Sequence, residues 1–254
     1  MMPLPPGAAR RTTLRRGRRA EELRPVTITP AVAKFAAGSA RIELGDTHVF
    51  CTASLGEGVP GWLRGSGRGW LTAEYSMLPG ATPTRGAREA VRGRQSGRTM
   101  EIQRLIGRSL RSVVDLGIIG ERTIAVDCDV LQADGGTRTA SITGAYVAVY
   151  QVALKIKDLL GLSELPLFDS VAAASAGVVD GEARLDLDYE EDSAAEVDLN
   201  AVVTGDGRLV EVQSTAEGEP FSRAALDGLL DLVVAGAATL RSVQAAACAE
   251  LERA

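Results

Sequence analysis

Apolar and polar residues alternate over residues 26–29, 40–44 and 48–55. A period of two is the mark of half-buried strands. Gly45-Asp46 between the last two runs is a hairpin signal. Residues 70–77 continue the extended pattern, and residues 122–131 form a run dominated by β-branched and apolar side chains. Between those runs the period lengthens. Ile102, Leu105, Ile106, Leu110, Val113 and Val114 make one stripe, which predicts an amphipathic helix over residues 99–116. Residues 142–160 are apolar nearly all round and predict a central, buried helix beginning at Ser141. The order then restarts. Residues 165–168 and 170–179 read as extended, and Asp180-Gly181 as a turn. Over residues 183–189, Leu185, Leu187 and Tyr189 fall on one side and Asp186, Asp188 and Glu190 on the other. Residues 197–203 and 209–213 form a second hairpin around Gly205-Asp206-Gly207. Ser222 caps a long helix that carries Leu226, Leu229, Leu230, Val233, Val234, Ala237 and Leu240 inward and is broken or thinned near Gly236. Strand groups followed by helices, twice over, predict an α/β (α+β) fold of two similar halves, although no clear internal sequence repeat accompanies them.

Composition narrows the class. The chain has 254 residues, ample for a large core, with 45% hydrophobic and 24% charged residues. No uninterrupted apolar run reaches the length of a membrane span, and no apolar block follows the N-terminal basic residues as in a secretory signal. The three cysteines, Cys51, Cys128 and Cys248, are odd in number and scattered, which suits a reducing cytoplasm. There is no CxxC and a single histidine, His48, so zinc chemistry is not expected. His48, with no nucleophile or metal pattern beside it, reads as a solvent- or partner-facing hairpin residue.

Charge is unevenly distributed. Residues 64–111 carry ten Arg against three acids, and residues 180–231 carry fifteen acids against three Arg. A protein of net charge −5 does not hold polyanions by bulk charge, but an arginine-rich face can. A solvated face is the plainer alternative. Residues 56–69, rich in Gly with Arg64 and Arg68, and residues 84–97, with Arg85, Arg88, Arg92 and Arg94, read as mobile basic loops. Arg104, Arg108 and Arg111 share a face of the helix, where salt bridging across a subunit contact fits them best. Residues 1–22, with three Pro and six Arg, read as a flexible basic arm.

The chemistry concentrates in Ala133 to Ala145, ADGGTRTASITGA. Gly135 and Gly136 permit a sharp turn and close approach. Thr137 adds a hydroxyl and Arg138 a planar cationic fork, next to the unpaired amides of a helix start. That is a plausible phosphate site, though not a Walker A loop. Taken alone, Gly-Gly-Thr-Arg also fits an ordinary strand-to-helix turn. Arg98, just before a first helical turn, is likewise placed to reach an anion. Asp186 and Asp192 could hold Mg²⁺ or protonate a leaving oxygen, while exposed strand acids are more often solvated charge.

The segment DCDVLQADGGTRTASITGA, residues 127–145, closely resembles the signature of the ribonuclease PH family, phosphate-dependent 3′ exoribonucleases. So do LRPVTIT, GWLTAEYSMLPGAT, GRTMEIQRLIGRSLR, DYEEDSAAEVDLN and EVQSTAEGEPFS, in the family's order from about residue 23 to 224. The resemblance implies the ribonuclease PH fold: two pseudo-repeated βαβα-type halves of mixed sheet plus helices, about 23–162 and 163–254, after an arm over 1–22. It implies phosphate binding by Arg98, Gly136, Thr137 and Arg138. Asp186 and Asp192 become catalytic and metal candidates, and Asp188, Glu190 and Glu191 are left as surface charge. It implies RNA contact at Arg68, Arg85, Arg88, Arg92 and Arg94. The expected activity is phosphorolytic trimming of tRNA precursors and other RNA 3′ ends, with Mg²⁺ as cofactor and inorganic phosphate as co-substrate. The expected assembly is a cytoplasmic homo-hexamer, a trimer of dimers, with no membrane or DNA partner. Arg16 stands where the family usually has Asp, and Pro83 and Gly86 where many relatives have His or Asn. A non-catalytic RNA-binding ring subunit of exosome-core type is the alternative. A small-molecule kinase of related fold would need an ATP loop that is not found.

Overall fold

The computed structural model describes Arg15 and residues 17–253. Arg16 and the arm before Arg15 lie outside them. Among the described residues nine strands form two sheets. In the first, β1 (Val26–Pro30), β2 (Gly38–Leu44) and β3 (Thr47–Glu57) run antiparallel, and β3 pairs with β5 (Arg122–Gln132). The edge strand β4 (Trp70–Met77) is parallel to β5. The parallel pair requires a crossover. A short helix α1 (Glu89–Arg92), then α2 (Gly97–Arg111) and the one-turn α3 (Leu116–Ile119), supply it. α2 stops at Arg111, short of the helix expected to run to residue 116. Val113 and Val114 are buried instead in a turn, where Val114 bridges to Leu167.

Alternation is clean in the centre of this sheet. Val49, Cys51 and Ala53 of β3 and Ile124, Val126, Cys128 and Val130 of β5 face the core. Helix α4 (Thr137–Leu160) lies on that face, and on its other side it meets β6 (Val171–Val179) of the second sheet. A helix enclosed on two sides has no polar face, which accounts for its uniform apolarity. Gly144 allows the close crossing, since a Cβ there would lie 2.7 Å from the Ile42 side chain.

The second sheet is antiparallel throughout, ordered β7 (Glu182–Leu185), β6, β8 (Val197–Thr204) and β9 (Leu209–Ala216). Helix α6 (Arg223–Arg253) packs against β6, β1 and α4. It is continuous through Gly236, where a Cβ would meet the Leu185 side chain at 2.9 Å, so this glycine marks close packing and not a break. By length and composition α6 could cross a membrane, although Asp227, Asp231 and Arg241 interrupt its apolar run. However, Leu229, Val233, Ala237, Leu240, Gln244 and Cys248 bury one stripe of it in this core.

The strand expected over residues 183–189 ends at Leu185. Asp186 turns with φ +54°, and Asp188 then caps α5 (Tyr189–Ala194) in a reciprocal capping box with Glu191. Leu187 is buried as the alternation predicts, but Tyr189 is exposed.

Candidate active site

Residues 15 and 17–22 are not a free arm. Ala20 O accepts from Leu185 N at 2.7 Å, and Arg15 donates to Leu185 O. Glu191, expected on the surface, is fully buried. It is ringed by Arg15 (3.0 Å), Arg184 (3.2 Å) and Arg18 (3.4 Å). A carboxylate deprived of water must be paired, and the clustered acids of the second half draw the basic N-terminal segment onto them. Asp186 is 2% exposed and its oxygens are taken by Arg24. The Arg24 backbone N donates to Oδ2 at 2.7 Å, Nε to Oδ2 at 3.0 Å and Nη2 to Oδ1 at 2.7 Å. Arg18 approaches to 3.6 Å. Asp186 is therefore a buried anion paired with Arg24, whereas it was expected as an open carboxylate beside Asp192.

Arg24 also donates to Asp134 O, at the start of the glycine loop. Gly135 and Gly136 follow with φ +73° and +64°. A Cβ on Gly135 would sit 2.5 Å from Leu187 O, so the loop presses directly against the segment that carries Asp186. This fixes where α4 begins. It begins at Thr137, four residues before the predicted Ser141, with Gly136 as its N-cap. Ala140 N is bonded to Gly136 O at 3.0 Å. The amides of Thr137, Arg138 and Thr139 have no carbonyl one turn back and point out of the helix start. The positive end of a 24-residue helix thus opens here, and the dipole favours an anion.

Around that opening the side chains are held at graded strength. The Thr137 hydroxyl bonds the Tyr75 hydroxyl at 2.9 Å, and Tyr75 is buried on β4. Arg138 Nη1 donates to Gln213 Oε1 of β9 at 2.9 Å and lies 3.7 Å from Glu101 of α2. Gln213 Nε2 in turn donates to Glu101 at 2.8 Å. Arg98 sits in the first turn of α2, whose cap Ser96 accepts from Thr99 N. It is exposed and makes no hydrogen bond or ion pair with a described residue. Arg98 and Arg138 both act on Asp192 of α5. Asp192 is exposed, yet desolvation by the atoms around its carboxyl raises its pKa, and those two guanidinium groups oppose the rise. The structure therefore gathers Arg98, Gly136, Thr137, Arg138 and Asp192 at one place, from α2, α4 and α5.

Sequence reasoning missed Asp198. It lies on β8, and Asn200 two residues on faces the same way, with its amide bonded to both Asp198 oxygens at 3.2 and 3.1 Å. Asn200 pairs with Gln213 across β8 and β9, which brings Asp198 to the Arg138 side of the sheet. Burial and the neighbouring Asp192 push Asp198 up to about 6, against the pull of Arg138. Arg24, Tyr75 and Gln213 were also missed. The signal for Asp198 was present: Asp and Asn interrupt the apolar strand VDLNAVVT at two same-face positions.

The arginine loop is exposed beside the N-terminus of α2. Arg68, Arg85, Arg88, Arg92 and Arg94 form no ion pair with a described residue. A cavity of about 720 Å³ lies between the loop and the outer face of the first sheet, lined by Arg94, Glu74, Asp127 and Asp129. Arg88 acts on Asp129, whose pKa burial and Asp127 raise. The helix arginines behave differently from one another. Arg108 pairs within the chain to Glu211, and Arg111 donates to Leu71 O at 2.8 Å and stacks 4.7 Å over Trp70. Among the described residues no group of three His, Cys, Asp or Glu gathers as a metal cage.

Two family models match the chain, 3′ exoribonuclease family domain 1 over residues 22–155 and domain 2 over residues 169–239. The chain is 58% identical over 241 residues to ribonuclease PH of Rhodococcus erythropolis, covering 94% of this chain and 92% of that protein. It is 59% identical over 236 residues to ribonuclease PH of Rhodospirillum rubrum, covering 92% and 98%. Among solved structures it is similar to a chain of the Archaeoglobus fulgidus exosome with RNA bound to the active site, with TM-score 0.75, 27% identity and coverage of 89% and 91%. Rice Rrp46 shares the fold, with TM-score 0.75 at 19% identity, covering 92% and 98%. With its sequence matched nearly end to end and its sheets matched in space, this chain belongs to the ribonuclease PH family of 3′ exoribonucleases.

Proposed function

We propose that this chain is a phosphorolytic 3′-to-5′ exoribonuclease whose substrates are RNA 3′ ends, tRNA precursors foremost. The observation that carries the reading is the convergence of Arg98, unpaired among the described residues, and Arg138 on one carboxylate, Asp192, with Arg138 in the first turn of α4 beside its open amides. Inorganic phosphate binds the two guanidinium groups and the amides of residues 137–139, with the Thr137 hydroxyl oriented by Tyr75. A phosphate oxygen then attacks the last phosphodiester phosphorus. The phosphorus–O3′ bond breaks, the nucleotide leaves as a nucleoside diphosphate, and the shortened RNA keeps its 3′ oxygen. Two anions must meet for this, and the arginines offset their repulsion in the transition state. The departing 3′ oxygen needs a proton. Asp198, pushed up to about 6 by burial and by its neighbour Asp192, is the donor, and Asp192 is the ionised carboxylate beside it. Nucleotide addition from diphosphates is the same reaction reversed.

Mg²⁺ is the expected cofactor. Asp186 does not fit it, because its oxygens are engaged by Arg24. Asp192 fits, since Mg²⁺ is commonly held by one carboxylate together with substrate phosphate oxygens and water. When bound there it would offset charge on the reacting phosphates. The arginines of the 85–98 loop, unpaired among the described residues, and the exposed Phe35, Trp62, Val91 and Phe168 support a homo-hexamer that grips tRNA, and three unpaired cysteines suit the cytoplasm.

The test uses a tRNA precursor with a labelled 3′ tail and Mg²⁺, with and without phosphate. Diphosphates released only with phosphate, and lost in Arg138→Ala, support the reading. Monophosphates released without phosphate would mean hydrolysis. Tight binding with no release in either condition would point to a non-catalytic ring subunit.

A further inference from the structure

Away from this site, the groove between α4 and α6 holds a second cavity of about 300 Å³, lined in part by Tyr146, Tyr150, Ser170, Arg241, Gln244 and Cys248. Its walls follow from helix spacing. Tyr146 and Tyr150 are four apart on α4, and Arg241, Gln244 and Cys248 fall on one stripe of α6. The two tyrosine rings lie with centroids 6.3 Å apart.

Gln244 is 1% exposed. Its Nε2 donates to Thr143 O at 2.8 Å and to Val171 O at 3.0 Å, which uses both amide hydrogens and fixes the orientation of the group. Its Oε1 is left buried with no partner among the described residues. Arg241 Nη1 is buried without a partner as well, and Arg241 makes no ion pair with a described residue. The Tyr146 hydroxyl, kept protonated by burial, has no hydrogen-bond partner among the described residues. The Tyr150 hydroxyl is already bonded to Glu252. The cavity therefore presents one unsatisfied buried acceptor, one unsatisfied buried donor and an aromatic wall, with the Tyr146 hydroxyl open to water. Buried polar groups are rarely left so.

A ligand that completes this set carries a donor next to an acceptor on one edge and has a flat apolar body. A simple anion would satisfy Arg241 but not Gln244 Oε1, and it would face Glu252 at the rim. A nucleobase meets every requirement. Cytosine, for example, sets an amino donor beside a ring-nitrogen acceptor, and unpaired bases are commonly held between aromatic side chains. The volume is at the lower end for ligand pockets, suited to one base.

We propose that the α4–α6 cavity binds a single unpaired nucleobase through Gln244 Oε1, Arg241 and the face of Tyr146. The base comes either from a free nucleoside or from an RNA strand passing over the subunit. The proposal does not depend on the phosphorolytic reading, since no residue of the cavity belongs to that site.

The test uses the full chain with ring-labelled tyrosine, followed by NMR during titration with cytidine. The chain has four tyrosines. Tyr75 and Tyr189 report the phosphate side, and Tyr146 and Tyr150 report the groove. Saturable movement of the Tyr146 and Tyr150 signals is expected, weakened about tenfold or more in Arg241→Met, because a hydrogen bond to a charged group is lost. Tyr146→Phe removes only a hydroxyl and should weaken binding less, and it carries the test if Arg241→Met fails to fold. A second arm uses oligocytidine with a blocked 3′ end. Movement with both ligands means that any accessible base is taken, and movement with the oligomer alone assigns the site to a strand. If Tyr146 and Tyr150 are unmoved by either ligand, or move equally in both variants, ordered water fills the cavity and the proposal fails.

Discussion

Replacing Asp198 by Asn should stabilise the protein at neutral pH. The Asp198 carboxyl is pushed up to about 6 from 3.8, first by burial and then by Asp192. A raised acid pKa means that the folded state holds the proton more tightly than the unfolded chain. Stability from this group is therefore fully present below pH 3.8, falls as pH rises from 3.8 to about 6, and stays lost above that. A rise of 2.2 units, 6 minus 3.8, corresponds to about 3 kcal/mol at 1.4 kcal/mol per unit, as an upper bound. Asn has nearly the same shape, carries no charge at any pH and still offers Asn200 one oxygen. The expected gain is thus up to about 3 kcal/mol at pH 7.5, a rise in Tm on the order of 10 °C at most for a chain this long. At pH 4 little gain is expected. The assay is thermal unfolding of wild type and Asp198→Asn at one protein concentration, at both pH values, since assembly makes Tm concentration-dependent. No gain at pH 7.5, or an equal gain at both, would refute the argument that Asn200 and Arg138 only partly offset the buried charge of ionised Asp198.

Three further outcomes follow from the same geometry. Asp186→Asn leaves Arg24 buried against a neutral partner and should cost about 3–5 kcal/mol in urea unfolding; an unchanged midpoint would mean that water screens the pair. Gly135→Ala forces a Cβ to within 2.5 Å of Leu187 O at a positive φ, and should lower both Tm and phosphate-dependent turnover, whereas Gly181→Ala, with open space around its Cβ, should lower Tm less and leave turnover intact. Arg92→Glu or Arg94→Glu should weaken tRNA binding and flatten its salt dependence, or change the sedimentation profile, because both side chains are exposed and unpaired; no change in binding or sedimentation would remove this loop from recognition and assembly.

Much of the site was legible because its residues act locally. Gly135, Gly136, Thr137 and Arg138 are consecutive, and a strand–glycine–helix transition states its own geometry. Arg98 is legible for the same reason, being in the first turn of a helix with a clear stripe. The burial of Asp186 was not legible, because alternation shows which side of a strand a residue faces. It does not show whether the chain turns there or what waits in the core. The Arg24 that claims it is 162 positions away. The docked segment around Arg15 and Arg18 was misread for a similar reason, since a basic run looks solvated until the acids it covers are brought to it.

The sequence by itself determined most of the strands and the long helices, through periods of two and 3.6, and its glycines marked the strand-to-helix turn at Gly135 and Gly136. These are properties of the chain within a few residues of each position. Tertiary structure alone decided which carboxylates remain open. Asp186 and Glu191 are consumed by arginines distant in sequence, while Asp192 and Asp198 are left facing Arg98 and Arg138. The reason is that the cost of burying a charge depends on what is brought next to it. That neighbour is set by how the two sheets close over α4, and not by the residue's place in its own strand.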